Sequence, residues 1–176
     1  MIFTKTSLPD AFVIELDKKE DTRGFFARAW DAKIFEEHGL NPKISQCNIS
    51  HTKQKGTIRG MHLQKKPFEE AKLIRCTQGK IFDVIIDLRK DSPTYKQWES
   101  FELSSTNFKM LYVPEGFAHG FQSLENHTEI FYQVSQFYSP GSEIGVRWND
   151  PTFNISWPLE VSEISEKDRS IPDFLD

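Results

Sequence analysis

Cysteine is scarce. Cys47 and Cys76 are the two in 176 residues, they form no CxxC pair, and both read as buried small apolar residues rather than as a disulfide or a zinc site. Positive charge is not in excess: 22 Lys and Arg stand against 26 Asp and Glu, a formal net charge of −4. With no basic stripe and no polybasic run, nucleic acid and anionic membranes are excluded as partners. A bound anion then has to be held by a few local cations. Long hydrophobic runs are also missing. The opening residues MIFTKTSLPD contain no apolar signal core, and no stretch approaches the length that spans a bilayer. A soluble cytoplasmic protein is therefore expected, in which the sequons at Asn48, Asn126 and Asn154 carry no glycans. Internal repeats and low-complexity linkers are absent, so residues 1–176 read as one domain, long enough to bury a substantial core.

What the sequence has in quantity is phenylalanine, 15 residues, with aromatics at 13%. Such rings fill barrel interiors and also stack on sugars and bases, so position has to choose between these uses. The dominant pattern is short β-like runs closed by turn residues. They cover residues 12–16, 24–30, 44–50, 57–64, 72–77, 80–88, 98–103, 110–113, 119–123 and 129–137. Gln78-Gly79, between two of these runs, predicts a hairpin. One helix is expected over residues 32–38, with Asp31 as its N-cap and Gly39 in the left-handed position that ends it. The acidic stretch 162–168 is a candidate for a second helix. Many short strands with regular turns predict an all-β barrel or jelly roll. That class names no function by itself.

Five histidines are the first candidates for chemistry. His38 falls at the end of the expected helix, where a cation suits the dipole, and reads as structural. His127 lies in the polar turn Glu125-Asn126-His127, and His51 in a basic loop with no assigned role. His62 and His119 differ. His62 lies in the strand-like run Gly56 to Gln64, where alternation puts Ile58, Gly60, His62 and Gln64 on one face and Arg59, Met61 and Leu63 on the other. A glycine beside a histidine on a barrel wall leaves room for a ligand to approach the backbone. His119 follows the turn Pro114-Glu115-Gly116.

Pro114, Gly116 and His119 resemble the second half of a cupin signature. Metal-binding cupins have a paired histidine two residues beyond the first; here Gln64 occupies that place. Glu69 or Glu70 could supply a carboxylate, but the paired histidine is absent, which disfavours a metal centre. A sharper resemblance spans nearly the whole chain. Asp21-Thr22-Arg23-Gly24-Phe25-Phe26, Gly56 to His62, Lys72-Leu73-Ile74-Arg75, Phe82-Asp83-Val84, Pro114 to Phe121, Trp148-Asn149-Asp150-Pro151 and Ser165-Glu166-Lys167-Asp168 occur in that order. Together they resemble the dTDP-4-dehydrorhamnose 3,5-epimerase family. That resemblance implies a cupin-type jelly-roll β-barrel with a few short helices.

It also implies a reaction. The 4-ketone of a nucleotide-linked 6-deoxyhexose acidifies the hydrogens on C3 and C5; a base removes one, and an acid returns a proton to the opposite face of the enolate. No cofactor or metal is needed. By resemblance His62 is the base, Asp168 orients and charges it, Tyr132 is the donor, and Lys72 stabilises the C4 oxygen. Arg23 and Arg59 match positions that hold phosphate oxygens. His119, Gln46, Asn48, Glu143 and Lys167 fall on binding positions, and Asp83 is a candidate partner in the same pocket. Phe25 and Phe137 match aromatics near the nucleotide, Phe137 standing where a tyrosine is usual. Arg28 stands where better-known members carry a glutamate, reversing a charge at the nucleotide end. The family forms homodimers in which N-terminal strands join the partner's sheet, which would let Arg23 and Phe25 complete the partner's site. Supply of activated deoxysugar for polysaccharide is the implied use.

Residue type alone leaves blander uses open: Tyr132 as a barrel aromatic, Lys72 as a surface lysine, Asp168 as a turn residue. Three other functions compete with the 3,5-epimerase. One is a mono-epimerase, or an epimerase of a different nucleotide 4-keto sugar. Another is a cupin that binds a sugar nucleotide without turning it over. The third is a metal-dependent cupin oxygenase or isomerase.

Overall fold

A computed structural model describes residues 1–175. Fourteen strands and two short helices follow one another along these residues: β1 (Ile2–Lys5), β2 (Phe12–Glu15), β3 (Lys19–Asp21), β4 (Gly24–Phe26), α1 (Ala32–Glu37), β5 (Gln46–Thr52), β6 (Thr57–Gln64), β7 (Lys72–Gln78), β8 (Lys80–Asp87), β9 (Trp98–Ser104), β10 (Met110–Val113), β11 (Phe117–Ser123), β12 (Thr128–Val134), β13 (Glu143–Gly145), β14 (Glu163–Ile164) and α2 (Glu166–Arg169). One antiparallel sheet runs in the order β1-β2-β10-β7-β12-β5. The other runs β13-β6-β11-β8-β9, with β14 parallel to the start of β6. The two face each other as the expected cupin-type jelly roll, and β3–β4 form a separate small hairpin. Among the described residues no helix is long and apolar enough to cross a membrane.

Burial explains why these segments are strands. Ile74, Cys76, Leu111, Val113 and Ile130 from the first sheet meet Ile81, Ile85, Leu103, Phe117 and Phe121 from the second in the barrel core. Each fully buried large apolar side chain stabilises the fold by about 1.5–3 kcal/mol. The outer face of the first sheet carries Phe12, Ile14, Leu73, Met110 and Tyr112 under Phe35 of α1. The outer face of the second carries Met61, Leu63, Val84, Ile86 and Ala118, covered by Val146, Phe153 and Trp157 from the C-terminal third. Strands apolar on both faces, such as Met110–Val113, are therefore buried on both faces.

The first helix forms where the sequence places it. Asp31 Oδ1 accepts from the amides of Lys33 and Ile34, and Gly39 takes φ 72° after it. His38 closes the helix as expected, its Nδ1 2.8 Å from Ile34 O and its ring stacked on Phe3.

Several local expectations need correction. Gln78-Gly79 makes no hairpin: β7 pairs with β10 and β12, whereas β8 pairs with β11 and β9. With Gly79 alone between them, at φ 74°, the chain turns a corner from one sheet into the other. The run from Gly24 stops at Phe26, and that expected from Glu129 to Phe137 starts at Thr128 and stops at Val134. Strands β1, β3 and β13 lie in segments for which the sequence predicts no element, and the stretch 162–168, a candidate helix, begins as β14 and turns helical only from Glu166. Cys47 is exposed, not buried. It lies on the edge strand β5, which alternates between inward Gln46, Asn48 and Ser50 and outward Cys47 and Ile49.

Candidate active site

A cavity of about 480 Å³ opens between the two sheets where the apolar core leaves the barrel unfilled. One wall is β6 and β11, which supply Arg59, His62 and His119. Lys72 of β7 and Tyr132 of β12 line it from the opposite sheet, and α2 adds Lys167 and Asp168.

Strict alternation along β6 would put Arg59 and His62 on opposite faces; the structure overturns this. His119 pairs with His62 and Phe121 with Arg59, so β6 spends three steps where β11 spends two. The extra residue is a β-bulge, which flips the phase of the strand. Both side chains consequently reach the cavity, while Met61 and Leu63 stay in the outer core. Gly60 occupies the bulge at φ 115°. Its missing side chain makes room for β11 and not for a ligand: a Cβ there would stand 2.5 Å from Gly120 Cα.

Two histidine–carboxylate pairs line the bulged wall. His62 Nε2 lies 2.7 Å from Asp168 Oδ1, and the other carboxylate oxygen accepts from Gly60 N at 3.2 Å. When Nε2 donates to Asp168, Nδ1 is left with the lone pair, which is the form a general base needs. Asp168 is 4% exposed. Burial opposes its ionisation, but the His62 hydrogen bond, the His62 charge and the Gly60 amide outweigh it and hold the carboxyl below its ordinary range. Ser165 caps α2, accepting from Asp168 N at 3.1 Å, and thereby fixes the carboxylate's backbone. His119 Nε2 lies 2.6 Å from Asp83 Oδ1; Asp83 is fully buried, and its Oδ2 has no hydrogen-bond partner among the described residues.

On the facing sheet, burial and then the Glu70 carboxylate raise the Tyr132 phenol above its ordinary pKa, so it holds a proton at neutral pH. Lys72 is 7% exposed, donates to His62 O at 3.1 Å and lies 3.3 Å from Glu70 Oε1. At the rim Glu143 accepts from Lys167 Nζ at 2.7 Å and stands 3.9 Å from His62 Nε2. Burial works against its ionisation, and the Lys167 hydrogen bond holds it low nonetheless.

The candidates therefore divide. His62, Tyr132, Asp168, Lys72, Arg59, His119 and Lys167 line one cavity, with Glu143 at its edge. Asn48 sits opposite Tyr132 in the β5–β12 pairing, on the face that brings Ser50 to the cavity, and Gln46 Oε1 accepts from Tyr138 N. Phe137 is 60% exposed beyond the end of β12. Arg23, Phe25 and Arg28 do not line the cavity. Arg23 pairs with Asp21, Phe25 packs edge-on to Phe108 beneath Lys18, and Arg28 bonds Asp31. Ser50, Thr57, Phe121, Ile130, Glu163 and Ser165 also line the cavity and were not singled out from sequence. Of these only Ser165 carried a signal, the S-x-x-D pattern of an N-cap. Among the described residues no group of three or more His, Cys, Asp or Glu is arranged to hold a metal ion.

A family model described as dTDP-4-dehydrorhamnose 3,5-epimerase matches residues 5–176. The dTDP-4-dehydrorhamnose 3,5-epimerase of Shigella flexneri is 40% identical over 173 residues, covering 98% of this chain and 95% of the relative. A Bacillus anthracis enzyme of the same name, crystallised with TDP and PPi bound, is 44% identical with a TM-score of 0.94, over 98% of this chain and 99% of that one. The dTDP-6-deoxy-D-glucose-3,5-epimerase of Legionella pneumophila, in complex with dTDP-4-keto-L-rhamnose, is 33% identical with a TM-score of 0.89, over 99% of each chain.

Proposed function

The chain belongs to the dTDP-4-dehydrorhamnose 3,5-epimerase family, and from that membership we propose that it converts dTDP-4-dehydro-6-deoxy-D-glucose to dTDP-4-dehydro-L-rhamnose. It is an isomerase of the nucleotide-sugar epimerase type. The observation that carries the mechanism is the placement of His62 and Tyr132 on opposite sheets across one cavity. A proton removed on one face of a sugar ring there is replaced from the other.

The geometry supports these steps. His62, oriented by Asp168, takes the proton from the carbon beside the ketone. The electron pair moves into the C–C bond and the ketone oxygen becomes the enolate oxygen, stabilised by the Lys72 ammonium. Collapse of the enolate draws the Tyr132 proton onto the opposite face. Imidazolium and phenolate then exchange protons with solvent, and the cycle repeats at the second carbon. Arg59, His119 and Lys167 are the cations and donors available to the diphosphate.

The proposal extends to a homodimer. Arg23, Phe25 and Arg28 are exposed and away from this chain's cavity, Phe26 is 71% exposed, and the edge strand β5 presents Ile49 at 67%. An open strand edge and exposed apolar rings are both features that a partner subunit covers. The hairpin β3–β4 would then carry Arg23 and Phe25 to the partner's site.

Proton NMR in deuterated water with dTDP-4-keto-6-deoxyglucose tests the reaction. Loss of both the C3 and C5 signals, with formation of the L-lyxo sugar, is expected. Exchange at one carbon alone would reduce the activity to mono-epimerisation. No exchange, with this or any other 4-keto sugar nucleotide, would sink the enzymatic reading.

A further inference from the structure

Gln64 and Glu70, which drew notice in the sequence as pieces of a metal site that could not be completed, take no part in the reaction above. The structure gives them another task. Gln64 is 3% exposed at the end of β6. Its Oε1 accepts from the backbone amide of Ser139 at 2.7 Å, which fixes the orientation of the amide, since a backbone N–H can only donate. Its Nε2 therefore faces Glu70 Oε2 at 2.6 Å, with Phe68 O at 2.9 Å and Phe137 O at 3.2 Å. The other oxygen of Glu70 lies 3.3 Å from Lys72 Nζ, and the two side chains are 13% and 8% exposed.

An ammonium has three protons in a fixed tetrahedral arrangement. One of those on Lys72 goes to His62 O at 3.1 Å, and Glu70 Oε1 lies 3.3 Å from the ammonium as its ion-pair partner. Held between these two partners, Lys72 lines the cavity. A buried cation also needs a counter-charge to stay charged and ordered, and Glu70 is the carboxylate the structure pairs with it.

We propose that Glu70, braced by Gln64, is the positioning residue for Lys72: it holds the ammonium so that one N–H points at the site of the enolate oxygen. This inference rests on the proposed epimerase reaction for its kinetic consequence, though not for its geometry.

Substituting Glu70 in wild-type and in Lys72→Met backgrounds tests the proposal. In the wild-type background, Glu70→Ala and the near-isosteric Glu70→Gln are both expected to lower kcat about tenfold or more, while KM moves by less than about threefold, because the contact is made to the transition state. In the Lys72→Met background neither should lower kcat further. Should Glu70→Ala fail to fold, Glu70→Gln carries the test alone. Wild-type kcat in Glu70→Gln would overturn the proposal, and so would an undiminished effect without Lys72. A crystal structure of Glu70→Gln decides the geometric part: Lys72 Nζ is expected to leave His62 O, and its retention there would refute the positioning role. Wild-type protein inert towards 4-keto sugar nucleotides would instead defeat the reaction, leaving that crystal structure to judge Glu70.

Discussion

In the proposed reaction His62 and Tyr132 perform different halves of one proton exchange, and substitution separates the halves. His62→Ala removes the group that starts the reaction. Deuterium incorporation at C3 and C5 and net epimerisation are both expected to fall by about 10²–10⁴-fold, with nucleotide binding nearly intact. Tyr132→Phe leaves the base in place with its 2.7 Å bond to Asp168. It should still exchange protons but lose inverted product by a similar factor. Following C3 and C5 deuteration beside product formation checks both, and a Tyr132→Phe enzyme that epimerises normally would end the donor assignment. At this scale the sequence was most informative. The reactive side chains fall in short runs of distinctive types, and seven of them meet in the cavity. Glu70 was weighed only as a metal ligand, because a glutamate two positions before a lysine otherwise looks like surface charge. Only burial on both sides, and the Gln64 amide behind it, makes the pair a device. Cys47 failed in the opposite sense, since cysteine is usually buried and nothing local reveals that β5 is an edge.

Strand β6 shows what a period-two reading can and cannot deliver. Its bounds, residues 57–64, are legible from composition, and its phase is not. The bulge depends on how β11 pairs with it, a contact made some sixty positions away in the chain (His119 with His62). The corner at Gly79 is the same kind of failure. A Gln-Gly pair fits a tight turn equally well whether the chain reverses within its sheet or passes to the opposite one. The bulge makes a sharp prediction for Gly60→Ala. The added methyl would lie 2.5 Å from Gly120 Cα and 2.8 Å from His119 O, both backbone atoms, at a φ that disfavours any side chain. Overpacking and backbone strain together should cost about 2–5 kcal/mol. Gly60 N also donates to Asp168, so the surviving folded enzyme should lose turnover out of proportion to substrate binding. Urea unfolding and steady-state kinetics measure the two effects. A variant as stable as wild type would mean that β6 and β11 separate without loss, and that the bulge does not hold the site.

For the molecule as a whole, the class was legible and the assembly was not. Ten short runs with regular turns suffice to predict a barrel, because strands that must bury one or both faces have few ways to pack. No pattern in one chain says which exposed residues serve that chain's own cavity. Arg23 and Phe25 lie outside it, and the proposed homodimer assigns them to the partner's. That assignment is open to complementation. An Arg23→Ala chain keeps His62 but offers its partner no guanidinium, and a His62→Ala chain does the reverse. Each homodimer should be nearly inactive. When the two are unfolded together and refolded, a mixed dimer gains one cavity with His62 from one chain and Arg23 from the other. Activity should then reappear, in proportion to the mixed dimer isolated with two different affinity tags. If Arg23 served the cavity of its own chain, both cavities of the mixed dimer would still lack one group, and mixing would restore nothing. Arg23→Ala homodimers with wild-type turnover and KM would remove Arg23 from the site altogether, leaving Arg59, His119 and Lys167 to hold the diphosphate.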